Sequence, residues 1–420
     1  MTPLSVLRIW SLGLLGWALL AAGLYLLWEW ADGVDPLPAP PARVEPAAPG
    51  AEADGPPAEA RPAPRTAPAA ATRSTDSDDL DRQGGWPYLL GGLALVLLSS
   101  GGAGLPIVLA ITLTRKEPRY DDRGTRQTVS RPDGSRLHVV VDGPPDGPTL
   151  IFSHGWGLSS GDWYYVKRDL AARYRIMTWD LAGLGHSTRA NDGDQSLEKM
   201  ADDLAAVLDA TCPAGPAILV GHSIGGMITQ VFCRRHAARL GTSVVGLVLA
   251  ETTYINPLRT AVGAPLWKAL EKPLIVPLNY LTIGLAPLAW ISNWQSYLNG
   301  SMHLSSRLTS FAGRQTLGQV DYLSLLLACA WPATSARGNL AMLTLDTTDV
   351  LPTIPVPVLV VAGWHDLLTR HQAGVEMARL IPGAELVTLD PGGHMGHWEN
   401  HPDFLPALTA FVDRISKTTT

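Results

Sequence analysis

The sequence predicts an α/β protein, a mostly parallel sheet with helices on both faces, placed behind two apolar N-terminal segments. Three observations carry this. From about Arg131, short apolar runs alternate with amphipathic helical patterns, the rhythm that packs helices on both sides of a parallel sheet. Within it, Gly221-His-Ser-Ile-Gly225 fits G-x-S-x-G between an apolar run at Ala217–Val220 and helical spacing of Ile224, Met227, Ile228, Val231 and Phe232. Ahead of it, Ile9–Trp28 and Trp86–Thr114 are uncharged and long enough to cross a bilayer as two transmembrane helices.

The N-terminal organisation follows in chain order. Residues 1–30 form the first expected span, and the length of its apolar core and the lack of a clean small-residue cleavage site argue against a cleaved signal peptide. Residues 31–85 are rich in Pro and Ala with few large apolar side chains, so they cannot offset their ordering entropy and are expected to be a disordered loop. Residues 86–114 form the second span, with Trp28, Trp30, Trp86 and Tyr88 as interfacial aromatics. Residues 115–130 read as a basic juxtamembrane linker, with Arg115, Lys116, Arg119, Arg123 and Arg126 crowded there. That bias places the chain beyond the second span in the cytoplasm and the loop outside.

Composition excludes some functions. A net charge of −6 with 17% charged residues gives no basic footprint for nucleic acid. Three widely spaced cysteines, Cys212, Cys233 and Cys329, offer neither metal spacing nor a disulfide framework.

The core elements justify themselves one by one. Pro132-Asp-Gly134 is a turn, followed by strands at Arg136–Val141, Thr149–Ser153 and Arg175–Trp179. Leu197, Met200, Leu204, Val207 and Leu208 mark an amphipathic helix before the serine strand. Val244–Ala250, Pro357–Ala362 and Glu385–Leu389 complete the strands, and Phe404, Leu405, Leu408, Phe411, Val412 and Ile415 a closing helix. The expected core is therefore 131–253 and 338–420, interrupted by residues 254–337, too long for a simple crossover.

Loops at strand ends carry the chemistry in such sheets. Phe152-Ser-His-Gly-Trp156, Asp180-Leu-Ala-Gly-Leu-Gly-His-Ser187, Gly363-Trp-His-Asp366 and Gly392-Gly-His-Met-Gly-His-Trp-Glu399 each follow a strand. Together with the serine turn, these five motifs, in this order, resemble the α/β-hydrolase family, specifically its serine esterase and lipase branch. The resemblance covers about Arg131 to Ile415 and implies the α/β-hydrolase fold, with residues 254–337 as a helical cap over the pocket.

On that resemblance Ser223 is the nucleophile, Asp366 the acid and His394 the base, with the backbones of Trp156 and Ile224 as oxyanion donors and His154 as a structural residue. A serine hydroxyl needs an imidazole to take its proton, the imidazole needs a carboxylate to fix its tautomer, and the oxyanion needs two N–H donors. Asp349 and Glu251 are alternative acids and His397 an alternative base. The family pattern selects His394 through Glu399 and Pro402; its proline after the acid is replaced here by Leu367-Leu-Thr369. Zinc at His394, His397 and His401 lacks a helical His-x-x-x-His with a Glu base, and His222, His365 and His371 read as packing or surface residues. No cofactor and no metal is expected.

The expected function is hydrolysis of carboxylic esters, lipidic ones, at a membrane through an acyl-enzyme, with a small-molecule or lipid ester as substrate and membrane lipid as partner. A haloperoxidase-like enzyme, a carbon–carbon bond hydrolase, an acyltransferase and an idle interaction module are the alternatives on the same scaffold. The serine disfavours epoxide hydrolases and haloalkane dehalogenases, which carry aspartate at that turn.

Overall fold

In the computed structural model, the described residues are 18–19, 21–31, 86–95, 117–119, 123–212 and 215–419. Most of the two expected spans, and the Pro/Ala-rich loop from residue 32 onward, lie outside them. The described residues 18–19, 21–31 and 86–95 belong to a unit separate from the catalytic one. Within that unit, helical residues 21–31 and Trp86–Leu95 pack closely at Gly92, where a Cβ would fall 2.8 Å from the Leu27 side chain and 3.0 Å from the Gly23 carbonyl. No single helix among the described residues is long and apolar enough to cross a membrane.

The sheet has eight strands: β1 (Thr125–Ser130), β2 (Arg136–Asp142), β3 (Thr149–Ser153), β4 (Arg175–Trp179), β5 (Ala217–His222), β6 (Val244–Ala250), β7 (Val358–Gly363) and β8 (Glu385–Leu389). Their spatial order is β1-β2-β4-β3-β5-β6-β7-β8, with β2 antiparallel to both neighbours and the rest parallel. β3, β5 and β7 are buried along their whole length, as near-continuous apolar runs must be when helices cover both faces. β1 departs from the expected linker at 115–130. It reads Thr-Arg-Gln-Thr-Val-Ser, buries only Val129, and pairs at the sheet edge, where one inward side chain suffices.

Alternation along the strands builds two cores. Ile151 and Leu219 join α2 (Leu197–Thr211) and α3 (Ile224–Arg235) on one face. Leu150, Phe152, Ile218 and Val220 join α1 (Tyr164–Leu170) and the closing helix on the other, where Trp163, Phe404 and Phe411 are fully buried. Each such side chain contributes about 1.5–3 kcal/mol by leaving water.

Between β6 and β7 lie α4 (Ala264–Leu270), a π-helical turn at Glu271–Ile275, α5 (Val276–Gly284), α6 (Ala286–Leu298), α7 (Ser301–Ser310), α8 (Leu317–Cys329) and α9 (Pro332–Met342). α8 starts at a capping box in which Thr316 and Gln319 satisfy each other's backbone N–H. α9 runs across the boundary expected at residue 337. The chain returns through β7, α10 (His371–Leu380), β8 and α11 (His401–Thr419).

Candidate active site

The central feature is the turn from β5 into α3. Ser223 sits in it with φ 53° and ψ −118°, a conformation that side chains rarely adopt and that costs about 1–3 kcal/mol. Sequence makes it possible. A Cβ at Gly221 would run into the Gly225 backbone, and one at Gly225 into the Ser153 backbone of β3. Neighbours hold the strain: the Ser223 N–H donates to Ala250 O at 3.0 Å, and the Thr252 hydroxyl donates to Ser223 O at 2.6 Å.

Loops after β7 and β8 bring the other two groups to this serine. His394 Nε2 lies 3.0 Å from Ser223 Oγ, and His394 Nδ1 lies 2.9 Å from Asp366 Oδ2. With Nδ1–H donating to the carboxylate, Nε2 keeps a lone pair facing the serine hydroxyl. Asp366 is itself held: Leu368 N and Thr369 N donate to Oδ1 at 2.8 and 2.9 Å, and the Thr369 hydroxyl donates to Oδ2 at 2.8 Å. Thr369, where the family pattern has proline nearby, thus anchors the acid. All three side chains are almost fully buried. Burial alone would lower the His394 pKa, but the Asp366 carboxylate outweighs it and holds the pKa above the ordinary value.

That direction fixes a pH dependence. A base must be neutral to accept a proton, so kcat/KM for a soluble ester is expected to rise with pH through a midpoint above about 6.5. An acid limb centred below that value would show that another group takes the proton.

The other candidates separate by position. Asp349 is an exposed partner of Arg234. Glu251 is buried beside His397, 3.6 Å from its Nδ1. His401 stacks on Tyr165 and bonds Trp398 O, so His394, His397 and His401 do not converge on a common point. His365 is half exposed, and His371 bonds the Thr388 hydroxyl.

The Trp156 and Ile224 backbone N–H groups make no hydrogen bond among the described residues. Ile224 opens α3, where the first N–H groups of a helix have no internal acceptor. Trp156 follows the His154-Gly155 loop, which His154 shapes by donating from Nδ1 to Gly155 O at 2.8 Å and accepting from Leu181 N at 3.0 Å. The Trp156 indole in turn donates to Ser335 O on α9.

A second buried cluster, unforeseen in the sequence, lies behind His394. Asp162 accepts from Gly155 N at 2.9 Å, faces His222 Nδ1 at 2.9 Å through Oδ2, and faces His397 Nε2 at 2.9 Å through Oδ1. His222 Nε2 donates to the His394 carbonyl at 3.0 Å, so the cluster holds the backbone of the candidate base. Burial lowers the His397 pKa, but the Asp162 carboxylate outweighs it and raises it to about 9. Burial pulls His222 down to about 4, yet both its nitrogens face acceptors. Glu399 completes the support: Gly393 N, Ala312 N, Gly313 N and Arg314 N donate to it, tying the His394 loop to the helical insertion. Asp162-Trp163 just past the His-Gly loop is the only sequence signal for this cluster.

Such a site can pass a proton from a hydroxyl to an imidazole while two free N–H groups and a helix N-terminus await a developing negative charge. Residues 150–407 match the model of the alpha/beta hydrolase family. The chain is 35% identical over 285 residues to a pimeloyl-[acyl-carrier protein] methyl ester esterase of Aeromonas hydrophila, covering 66% of this chain and 100% of that one. It is 28% identical over 289 residues to a non-heme chloroperoxidase of Streptomyces lividans, covering 68% and 99%. Among solved structures, a thermophilic esterase from Thermogutta terrifontis shares the fold with a TM-score of 0.57 at 22% identity, over 70% of this chain and 99% of that one. The chain belongs to the alpha/beta hydrolase family.

Proposed function

We propose that this protein is a membrane-anchored esterase, facing the cytoplasm, that cleaves esters of medium- or long-chain acids through Ser223, His394 and Asp366. The observation that carries the chemistry is the continuous line from Ser223 Oγ through the His394 ring to Asp366, with hydrogen bonds of 3.0 and 2.9 Å.

The steps follow from those atoms. Ser223 Oγ attacks the ester carbonyl as its proton passes to His394 Nε2, and Asp366 stabilises the imidazolium. The tetrahedral oxyanion takes hydrogen bonds from Trp156 N and Ile224 N. His394 then protonates the departing alkoxide, leaving an acyl-serine and a free alcohol. A water, deprotonated by His394, attacks the acyl carbon and releases the acid and the serine.

The lipid part of the reading rests on the apolar stretches Ile9–Trp28 and Trp86–Thr114 and on the basic cluster from Arg115 to Arg126. A protein held at a bilayer meets partitioned substrate at raised local concentration. Each methylene moved from water into an apolar pocket contributes about 0.8 kcal/mol.

Two measurements on the full-length protein in detergent test the two parts separately. A fluorophosphonate should label Ser223, and Ser223→Ala should abolish it; persistent labelling of the variant would refute the nucleophile. Across p-nitrophenyl esters from acetate to palmitate, kcat/KM should climb with chain length. A maximum at the shortest esters would reject the lipid reading and leave the esterase chemistry intact.

A further inference from the structure

The helical insertion between β6 and β7 is built with its polarity reversed. In α5 the buried residue is Asn279, which donates to Ile275 O at 2.8 Å and accepts from Asn339 at 3.2 Å. In α6 the buried residues are Ala286 and Tyr297, whose hydroxyl donates to Asp321 at 2.9 Å. The outward positions are apolar instead. Leu278, Leu281, Leu288 and Ile291 are 54%, 56%, 63% and 59% exposed. A helix on a water-facing surface normally turns its apolar side inward, and contiguous exposed apolar surface marks a binding face.

Four observations say what covers this face. No Asp, Glu, Lys or Arg occurs between Lys272 and Arg307, so the α5 and α6 part of the face carries no charge with which a protein partner would set register. The pair Ala264–Gly284 and Ala286–Leu298 has the hydropathy and low charge of a membrane segment, but it bends by 100° and cannot cross as one rod. Exposed Trp267, Tyr280 and Trp290 have an apolar body with a polar tip, and exposed Lys268 and Lys272 lie at the start of the stretch, as at a headgroup boundary. The segment leading into α4 also touches the loop of the candidate acid. Val262 N donates to Leu367 O at 3.0 Å, next to Asp366, and Trp364, Leu367 and Leu368 around that acid are exposed as well.

We propose that α4, α5 and α6 form a monotopic docking surface that lies in the bilayer interface, with Leu278, Leu281, Leu288 and Ile291 among the acyl chains. The loop carrying Asp366 is thereby held at the lipid surface, so a lipid ester can leave the bilayer toward Ser223 without crossing water. The inference rests on the membrane location proposed above and is independent of the roles assigned to Ser223, His394 and Asp366.

The test uses the full-length protein in vesicles of phosphatidylcholine and phosphatidylglycerol. With exposed Cys329 replaced by serine and buried Cys212 and Cys233 left in place, single cysteines at Leu281, Leu288 and, as a control, Arg379 on α10 carry an environment-sensitive fluorophore. Circular dichroism establishes that each labelled protein is folded. A docked face lies about 5–10 Å into the headgroup and acyl boundary, so labels at Leu281→Cys and Leu288→Cys should shift to the blue and lose roughly half their emission or more to nitroxide-labelled lipid. The Arg379→Cys label should stay water-like. Cap labels as water-like as the control overturn the proposal. So do labels shielded from water but untouched by lipid nitroxides, because that result makes a second copy or another part of this chain the occupant. Fluorophosphonate labelling of the parent is read alongside, so failure of docking and failure of the esterase reading are distinguishable.

Discussion

Replacing His394 with alanine is expected to lower kcat by about four to six orders of magnitude while leaving the fold intact. The size follows from what the ring does. Its Nε2 lies 3.0 Å from Ser223 Oγ, and without it the hydroxyl remains a protonated, weak nucleophile. The loss should fall on kcat more than KM, since the proton transfer belongs to the transition state. Residual turnover above the uncatalysed rate would come from the Trp156 and Ile224 N–H groups and from substrate binding. Burst and steady-state kinetics with a p-nitrophenyl ester, together with the urea unfolding midpoint, separate the two effects. His397 provides the contrast: its ring bonds Asp162 rather than Ser223, so His397→Ala should act mainly on stability. A larger loss of kcat in the folded His397 variant than in the His394 variant would move the base.

Why the candidate residues were legible and their support was not has a physical reason. Ser223, Asp366 and His394 each stand in a loop just past an apolar strand, and strand, turn and glycine leave strong local marks. Gly221 and Gly225 are legible because neighbouring backbone leaves no room for a side chain there. Asp162 in a short 3-10 turn, His222 at the end of β5 and His397 in a short helical turn are far apart in sequence, and no spacing records their meeting. His222 therefore reads as a packing residue, and Asp162 carries no mark beyond the tryptophan that follows it. The β1 strand is hidden for another reason: with only Val129 buried, it shows none of the period-two alternation that reveals a half-buried strand. The insertion's composition announces apolar helices, but which side faces out depends on Asn279 and Tyr297 finding polar partners in other helices.

Asp162→Asn is expected to destabilise the protein by about 3–5 kcal/mol, the usual cost of removing one member of a buried charged group. Asp162 is 1% exposed and its carboxylate serves a backbone N–H and two imidazoles at once. An amide keeps the shape but has one acceptor oxygen, so at least one of Gly155 N, His222 and His397 loses its acceptor. The pH dependence makes the assignment specific. His397 has its folded pKa raised to about 9 by Asp162, against an ordinary value of about 6.5. A raised pKa means the folded state holds the proton more tightly than the unfolded chain. The resulting stabilisation is complete below about pH 6.5 and is lost as pH rises through about 9. The parent should therefore become easier to unfold between pH 6 and pH 10, and Asp162→Asn should show a much weaker dependence over the same range. Urea unfolding followed by tryptophan fluorescence at both pH values, in the same detergent, measures this. Parallel pH profiles for the two proteins would mean that the proton is not held between Asp162 and His397, and that burial alone sets the stability of this cluster.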